Sequence, residues 1–212
     1  MKSKSLYLWI LIGTWAATIL LYFWFIKSPY FEFFNAWTRQ NLLLFYATLL
    51  TVKVLAIVWP PLPGGLFTLG SIPFIGWINA YLIDVLGSLI GASIAYVLGR
   101  KYGYPFLEKI FDKELVDKVR NTKIRPDREL ESMFLGRIMG GGNIMELVSY
   151  GAGVLRVRYH NFIIASFLAN LIFIPIYYLG GNLFSTNSML IGVAFSAVTL
   201  FIFWKLKGRY VE

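Results

Sequence analysis

The stretch Trp59-Pro60-Pro61-Leu62-Pro63-Gly64-Gly65 interrupts a long apolar region of the chain. Apolar residues dominate positions 42–59 before it and positions 66–98 after it. Proline removes a backbone hydrogen-bond donor and glycine loosens a helix, so no straight helix is expected to pass through this stretch. It therefore predicts two helical segments joined by a sharp break.

A second break lies in the apolar residues 133–155, where Gly140-Gly141-Gly142 is followed by Gly151 and Gly153. Irregular backbone at membrane depth persists only where protein or a water-filled cavity covers it. We therefore expect two re-entrant helical hairpins, at about residues 42–75 and 132–154, rather than two straight spans.

The composition places these breaks in a membrane protein. Of the 212 residues, 58% are hydrophobic and 15% are charged, whereas soluble globular domains average about 45–50% apolar and about 25% charged. This excludes a soluble single-domain enzyme, a disordered chain and a coiled coil. Because the chain has no cysteine and a single histidine, His160, we expect no disulfide, zinc or haem site and no cofactor.

The positive charge indicates how the chain is oriented. Twenty Lys and Arg against eleven Asp and Glu give a formal net charge of +9, and the basic residues gather at the N-terminus, in residues 100–128 and at the C-terminus. Cytoplasmic segments of membrane proteins are enriched in Lys and Arg. All three segments are cytoplasmic if the chain makes four full spans, at about 6–26, 77–98, 162–183 and 189–204, and if the hairpins enter from opposite faces.

The expected fold class is an all-α integral membrane protein in three parts. Residues 1–41 hold an N-terminal transmembrane helix and an interfacial helix at about 29–41; a cleaved signal peptide is the less favoured alternative, because the first apolar run is too long. Residues 42–185 hold the transport core with a solvated, cytoplasmic helical loop at 100–131. Residues 186–212 hold the last transmembrane helix and a basic tail. The expected location is a prokaryotic cell membrane, with both termini cytoplasmic.

A weak internal repeat supports two related halves. When the chain is shifted by eighty-one residues, residues 77–99 overlay residues 158–180 without a gap, and Tyr96-Val97-Leu98-Gly99 falls on Tyr177-Tyr178-Leu179-Gly180. Each copy is a broken hairpin followed by a span, in opposite topology. Paired interrupted segments of this kind point to a transporter site near the bilayer midplane.

Two motifs carry a resemblance to a known family. The first joins the proline-rich break to Gly87, Gly91, Tyr96, Gly99, Arg100 and Gly103; the second runs from Arg137 through Gly140-Gly141-Gly142-Asn143 to Tyr150 and Gly151. Over about residues 55–185 the chain resembles the DedA/VTT-domain family, also called the SNARE-associated Golgi protein family. Gly65, Ser93 and Gly140 differ from many bacterial members, which makes the chain similar to a divergent branch. The resemblance implies a transporter or scramblase of phospholipids or polyprenyl-phosphate lipids, and some members are coupled to protons.

The candidate site residues fall into three groups. Ionisable groups at membrane depth are costly and indicate function, and an arginine fork suits a phosphate. For Asp84 the alternatives are a salt bridge to Lys53, a salt bridge to Arg137, or a neutral acid bonded to a backbone carbonyl. For Arg137 the alternative is an ion pair with Asp84 or Glu146. The groups are a lipid-binding set (Arg137, Asn143, Gly140, Gly141, Gly142, Pro63, Gly64), a charge or proton-coupling set (Asp84, Glu146, Lys53) and an interfacial lipid-contact set (Arg156, Arg158).

These features favour a lipid scramblase or flippase, with a proton-coupled secondary transporter of ions or small solutes as the alternative. The chain lacks the G-x-S-x-G, H-E-x-x-H and P-loop motifs, so an enzyme is not expected and transport would be passive or driven by a gradient. The expected partners are membrane lipids with phosphate-bearing head groups. Protons and a second copy of the chain are further candidates, and nucleic acid is not expected.

Overall fold

The computed structural model describes residue 24 and residues 27–59, 62, 64–140 and 144–185. Every regular element in these residues is a helix, so the predicted all-α class is confirmed. The helices are α1 (Pro29–Gln40), α2 (Leu42–Val58), α3 (Gly64–Gly70), α4 (Ile72–Tyr102), α5 (Tyr104–Ile110), α6 (Lys113–Asn121), α7 (Glu129–Gly140), α8 (Ile144–Val154), α9 (Tyr159–Leu171) and α10 (Ile174–Ser185).

Two helical segments are long and apolar enough to cross a membrane, Ile72–Tyr102 and Tyr159–Gly181. The number rises to three if the bent pair α1 and α2 counts as one span. The two segments correspond to the spans predicted at 77–98 and 162–183. The spans predicted at 6–26 and 189–204 lie outside the described residues, apart from residue 24, so the number four stays a prediction.

Contacts divide the chain into two compact units, Met1–Phe45 and Tyr46–Glu212. In the first unit, α1 has a proline in its first turn, where the missing backbone N–H has no helical partner to lose. Asn41 ends this helix, because its backbone N–H and its side-chain amide both donate to the Trp37 carbonyl, at 2.9 and 3.0 Å. A helix therefore occupies the residues predicted as interfacial, and its place at an interface stays a prediction.

The proline-rich break in the second unit ends α2 at Val58. The carbonyl of Val58, which has lost its helical partner, accepts a hydrogen bond from the Tyr150 hydroxyl at 2.7 Å. Helix α3 then begins at Gly64. Farther along, Gly76 interrupts α4 with φ 77° and ψ 159°, a conformation that glycine alone adopts without strain. We call α2 and α3 the first hairpin, after the hairpin predicted at about residues 42–75; that the two hairpins are re-entrant stays a prediction.

The second hairpin consists of α7 and α8, which precede and follow residues 141–143 in the chain and contact each other. Helix α8 also crosses α4 at very short range. A Cβ atom added to Gly99 would collide with the Tyr150 carbonyl oxygen, and one added to Gly153 would collide with the Tyr96 carbonyl oxygen. Glycine at both positions therefore lets the two backbones touch, which fixes the second hairpin against α4.

The loop at 100–131 contains two short helices, α5 and α6. Helix α6 matches the predicted solvated loop, since its residues Glu114 and Lys118 form an exposed ion pair at 2.8 Å. The segment around α5 differs from that prediction, because the side chains of Leu107 and Phe111 are buried against Tyr150. Leu107 lies in α5 and Phe111 directly follows the end of that helix, and both side chains cover the core.

Candidate functional site

A cavity of about 460 Å³ lies between the two hairpins, α4 and the broken segment α9–α10. Apolar atoms form most of the surface of its wall. Its polar lining consists of Lys53, Asp84, Ser88, Arg137, Glu146, Ser149, Asn170 and Tyr177, together with Gly64 and Gly65. The structure thus brings together the four ionisable residues that the sequence singled out, although they come from four different helices.

Lys53 and Asp84 form an ion pair at 2.6 Å, with side chains that are 11% and 10% exposed. Of the alternatives for Asp84, the structure shows the salt bridge to Lys53. Gly87 makes room for the lysine stem, because a Cβ there would lie 2.6 Å from Cγ and 2.8 Å from Cβ of Lys53. The aliphatic stem therefore packs between helices while the ammonium reaches Asp84.

A chain of hydroxyl groups extends this pair to the other half of the protein. Thr68 donates to Oδ1 of Asp84 at 2.7 Å, and the Tyr177 hydroxyl donates to Oγ1 of Thr68 at 2.8 Å. The ring of Tyr177 also meets Tyr81 edge-on, at 5.5 Å between centroids. Helix α10 is therefore linked by hydrogen bonds to the first hairpin, a connection that sequence reasoning missed.

Arg137 is 4% exposed and is held by the second hairpin and α9. Its Nη2 donates to Oγ of Ser149 at 2.7 Å, and its guanidinium carbon lies 5.4 Å from the ring centroid of Phe162. Its Nε has no hydrogen-bond partner among the described residues. No salt bridge joins it to Asp84 or Glu146 within that part of the chain, so the predicted ion-pair alternative is not observed.

Two further polar atoms of the cavity wall are buried without a partner in the described part of the chain. They are Oε2 of Glu146, on the second arm of the second hairpin, and Nδ2 of Asn170, near the end of α9. Glu146 was predicted, whereas Asn170 was not. The sequence feature that could have indicated Asn170 is its polar amide side chain inside the apolar run at 162–183.

The two hairpins contain equivalent contacts between a hydroxyl group and a backbone carbonyl. Oγ1 of Thr68 lies 3.4 Å from the Gly64 carbonyl, and Oγ of Ser149 lies 3.1 Å from the Met145 carbonyl, each four residues back. Thr68 and Ser149 are eighty-one residues apart, and so are Gly64 and Met145. The contacts therefore follow the register of the sequence repeat over these residues.

The sequence from residue 61 to residue 183 matches the family model described as the VTT domain. The matched region includes α3–α9, most of α10, and every cavity residue except Lys53 and Ile57. The chain belongs to the VTT-domain family. No curated protein and no solved structure matches it significantly. Members of the family are generally assigned as membrane transporters, and the apolar helices make this VTT-domain protein an integral membrane protein.

Arg158 of the VTT-domain protein lies away from the cavity, in a polar contact on the surface. It donates to Oε2 of Glu129 at 3.0 Å and to the Pro126 carbonyl at 2.7 Å, and Asn161 donates to the same carboxylate oxygen at 2.7 Å. Burial raises the pKa of Glu129, but these hydrogen bonds and the charge of Arg158 lower it by more, so the pKa lies below its usual value. Arg156 is exposed with φ 57°. Contact of either arginine with lipid stays a prediction.

The remaining predicted residues of the VTT-domain protein lie mainly at the two breaks. Gly64 begins α3 and lines the cavity, and Gly140 ends α7. Pro63, Gly141, Gly142 and Asn143 lie outside the described residues.

Proposed function

We propose that this protein moves phosphate-bearing lipids across the bilayer, as a scramblase or flippase, through the cavity between the two hairpins. The observation that carries the proposal is Arg137. Its buried guanidinium has one N–H without a partner in the described part of the chain, and Arg137 is one of the residues that line the cavity. The lipids meant are phospholipids or polyprenyl phosphates.

Physical chemistry favours an anion at this position. Arginine stays protonated at any physiological pH, and a charge at membrane depth is costly unless it is paired. Lys53 already has Asp84 as its partner at 2.6 Å. A lipid phosphate would supply Arg137 with the charge-assisted hydrogen bonds that it lacks. Glycines at both breaks, Gly64 and Gly140–Gly142 with Pro63 and Asn143, would keep the backbone open around the head group.

The size of the cavity suits a head group. A volume of about 460 Å³ lies within the range of about 300–1,000 Å³ for small-molecule sites. The acyl or prenyl chains would therefore remain in the bilayer while the head group passes. Arg156 and Arg158 would collect anionic lipids at the interface.

The proposed topology has four spans and two hairpins that enter from opposite faces, with both termini in the cytoplasm of a prokaryotic cell. An inverted arrangement of two broken hairpins offers the site to each side in turn by movement of one half against the other. Because the chain lacks a nucleotide motif, we expect lipid to follow its own gradient or a proton gradient.

A liposome assay tests this function. Purified protein is reconstituted with lipids that carry a fluorophore on one acyl chain, and dithionite is added outside to bleach the outer leaflet. We expect bleaching beyond the outer-leaflet share, and we expect Arg137→Gln to slow it at least about tenfold, since charged hydrogen bonds are lost. Arg125→Gln is the matched control, because Arg125 is 73% exposed and remote from the cavity lining.

Two results would reject the lipid function. One is wild-type protein that bleaches like empty liposomes. The other is Arg137→Gln that transports as fast as wild type while eluting as the same monodisperse species.

A second candidate function is a proton-coupled transporter of ions or small solutes. Glu146 favours it, because its Oε2 is buried in the same cavity without a partner in the described part of the chain, and the volume would also hold a whole small anion. This candidate predicts solute uptake that follows an imposed pH gradient and no lipid crossing.

A further inference from the structure

The cavity wall contains a particular set of unsatisfied polar atoms. Five buried side-chain polar atoms lack a hydrogen-bond partner among the residues that the structure describes, and three of them belong to residues that line this cavity. Two are donors, Nε of Arg137 and Nδ2 of Asn170. The third is an oxygen, Oε2 of the Glu146 carboxylate, which accepts. Leaving a buried polar group unsatisfied is costly, so such a cluster indicates a ligand with the complementary groups.

The backbone carbonyl of Asn170 has hydrogen-bond partners, whereas its side-chain Nδ2 has none in the described part of the chain. Its backbone carbonyl accepts a hydrogen bond from the Phe173 N–H at 3.0 Å, at the break between α9 and α10. The same carbonyl accepts from the Tyr81 hydroxyl at 3.4 Å. The residue is 4% exposed and lines the cavity. These contacts hold the backbone at the cavity wall, and the side-chain Nδ2 remains without a hydrogen-bond partner in the described part of the chain.

We infer that the cavity selects phosphate esters that carry an N–H or O–H donor beside the phosphate. Arg137 Nε and Asn170 Nδ2 donate to phosphate oxygens, and Glu146 Oε2 accepts from the donor of the head group. Phosphoethanolamine and phosphoglycerol groups satisfy all three atoms. A phosphocholine group has no N–H and leaves Glu146 unsatisfied. A site with a buried polar group discriminates strongly against a ligand that fails to pair with it.

This inference rests on the proposed function for its source of phosphate, a lipid, although a free phosphate ester has the same chemistry. The test therefore compares both sources in one preparation of the full-length protein in liposomes. Lipids labelled on an acyl chain carry ethanolamine, glycerol or choline head groups, and their crossing is followed with dithionite. Uptake of labelled phosphoethanolamine and phosphocholine is measured in parallel.

We expect ethanolamine and glycerol lipids to cross at least about tenfold faster than choline lipid, the worth of one charge-assisted hydrogen bond. Glu146→Met, which keeps the volume and removes the acceptor, is expected to bring all three rates to the choline value. Asn170→Leu is expected to slow all three lipids about tenfold and to keep their order. The ratio between lipids is the decisive readout, because a folding defect lowers every rate together.

Asn79→Leu is the matched control. Asn79 also lies on a membrane-spanning helix, but its Nδ2 already donates to the Ile75 carbonyl of its own helix at 2.8 Å, and it does not line the cavity. We expect its rates and its lipid order to equal those of wild type.

Each other outcome has a definite meaning. Equal crossing of all three lipids by wild type, or a preference that survives in Glu146→Met, overturns the selection and leaves the lipid function standing. Uptake of phosphoethanolamine over phosphocholine without lipid crossing overturns the lipid function and keeps the selection. Movement of neither lipid nor solute overturns both.

Discussion

Lys53 and Asp84 show how single residues tolerate charge at membrane depth. Each would be costly alone, and the pair is stabilised by a 2.6 Å contact and by the Thr68 hydroxyl, which donates to Asp84. Removing one partner of a buried pair leaves an uncompensated charge, which costs more than the pair itself is worth.

We predict that Asp84→Asn destabilises the protein by about 3 kcal/mol, because the Lys53 ammonium keeps its charge and loses its partner. The double variant Lys53→Met with Asp84→Leu should be less destabilised than this single variant, since no charge remains unpaired. Thermal unfolding in detergent, followed by circular dichroism, measures both.

The exposed pair of Glu114 and Lys118 provides the control, since these side chains are 81% and 66% exposed. Glu114→Gln should cost less than about 0.5 kcal/mol, as expected for a solvated ion pair. If Asp84→Asn cost no more than Glu114→Gln, Lys53 and Asp84 would not be a buried pair in the folded protein.

At the scale of elements, the crossing of α4 and α8 positions the second hairpin. Gly99 and Gly153 allow the contact, and the Tyr96 hydroxyl adds a 2.6 Å hydrogen bond to the Val157 carbonyl just after α8. The crossing is therefore fixed by backbone contact rather than by large side chains.

Alanine at Gly99 or at Gly153 should force these helices apart. We expect each substitution to cost about 3 kcal/mol, the upper part of the usual range for overpacking, because the added methyl meets a carbonyl oxygen that cannot move alone. Gly70→Ala is the matched control, since a Cβ there meets nothing within 4 Å. Unfolding midpoints in detergent compare the three variants, and an unchanged midpoint for Gly99→Ala would contradict the close crossing.

For the molecule as a whole, the proposed topology makes a prediction about sidedness. The chain contains no cysteine, so single cysteines report accessibility without a background. In intact cells, a membrane-impermeant maleimide should label Gln40→Cys and should leave Glu114→Cys unmodified. In inverted vesicles the pattern should reverse. Both native positions are exposed in the structure.

The unmodified, cysteine-free protein controls for unspecific labelling, and lysed cells should label both variants. Labelling of positions 40 and 114 from the same side would contradict the topology that the basic segments predict.

Local features of the sequence predicted the helical architecture well. Proline and glycine act on the backbone of their own turn, so the breaks after Val58 and Gly140 were visible without tertiary information. The length and polarity of residues 77–98 and 162–183 likewise identified two membrane-spanning segments. The cost of charge in an apolar run singled out Lys53, Asp84, Arg137 and Glu146, and the structure places all four around one cavity.

The sequence by itself therefore determined the all-α membrane class, the positions of the two breaks, the family motifs and the costly charges, because each depends on residues close together in the chain. Only the tertiary structure decided which charges are paired and which polar atoms remain free. Asp84 meets Lys53, Arg137 meets Ser149, and Tyr177 reaches Thr68 across 109 positions of sequence. Such partners are chosen by helix packing, and neither spacing nor hydrophobicity encodes them, so only the folded protein shows that Asn170 lies in the same cavity wall as Arg137 and Glu146.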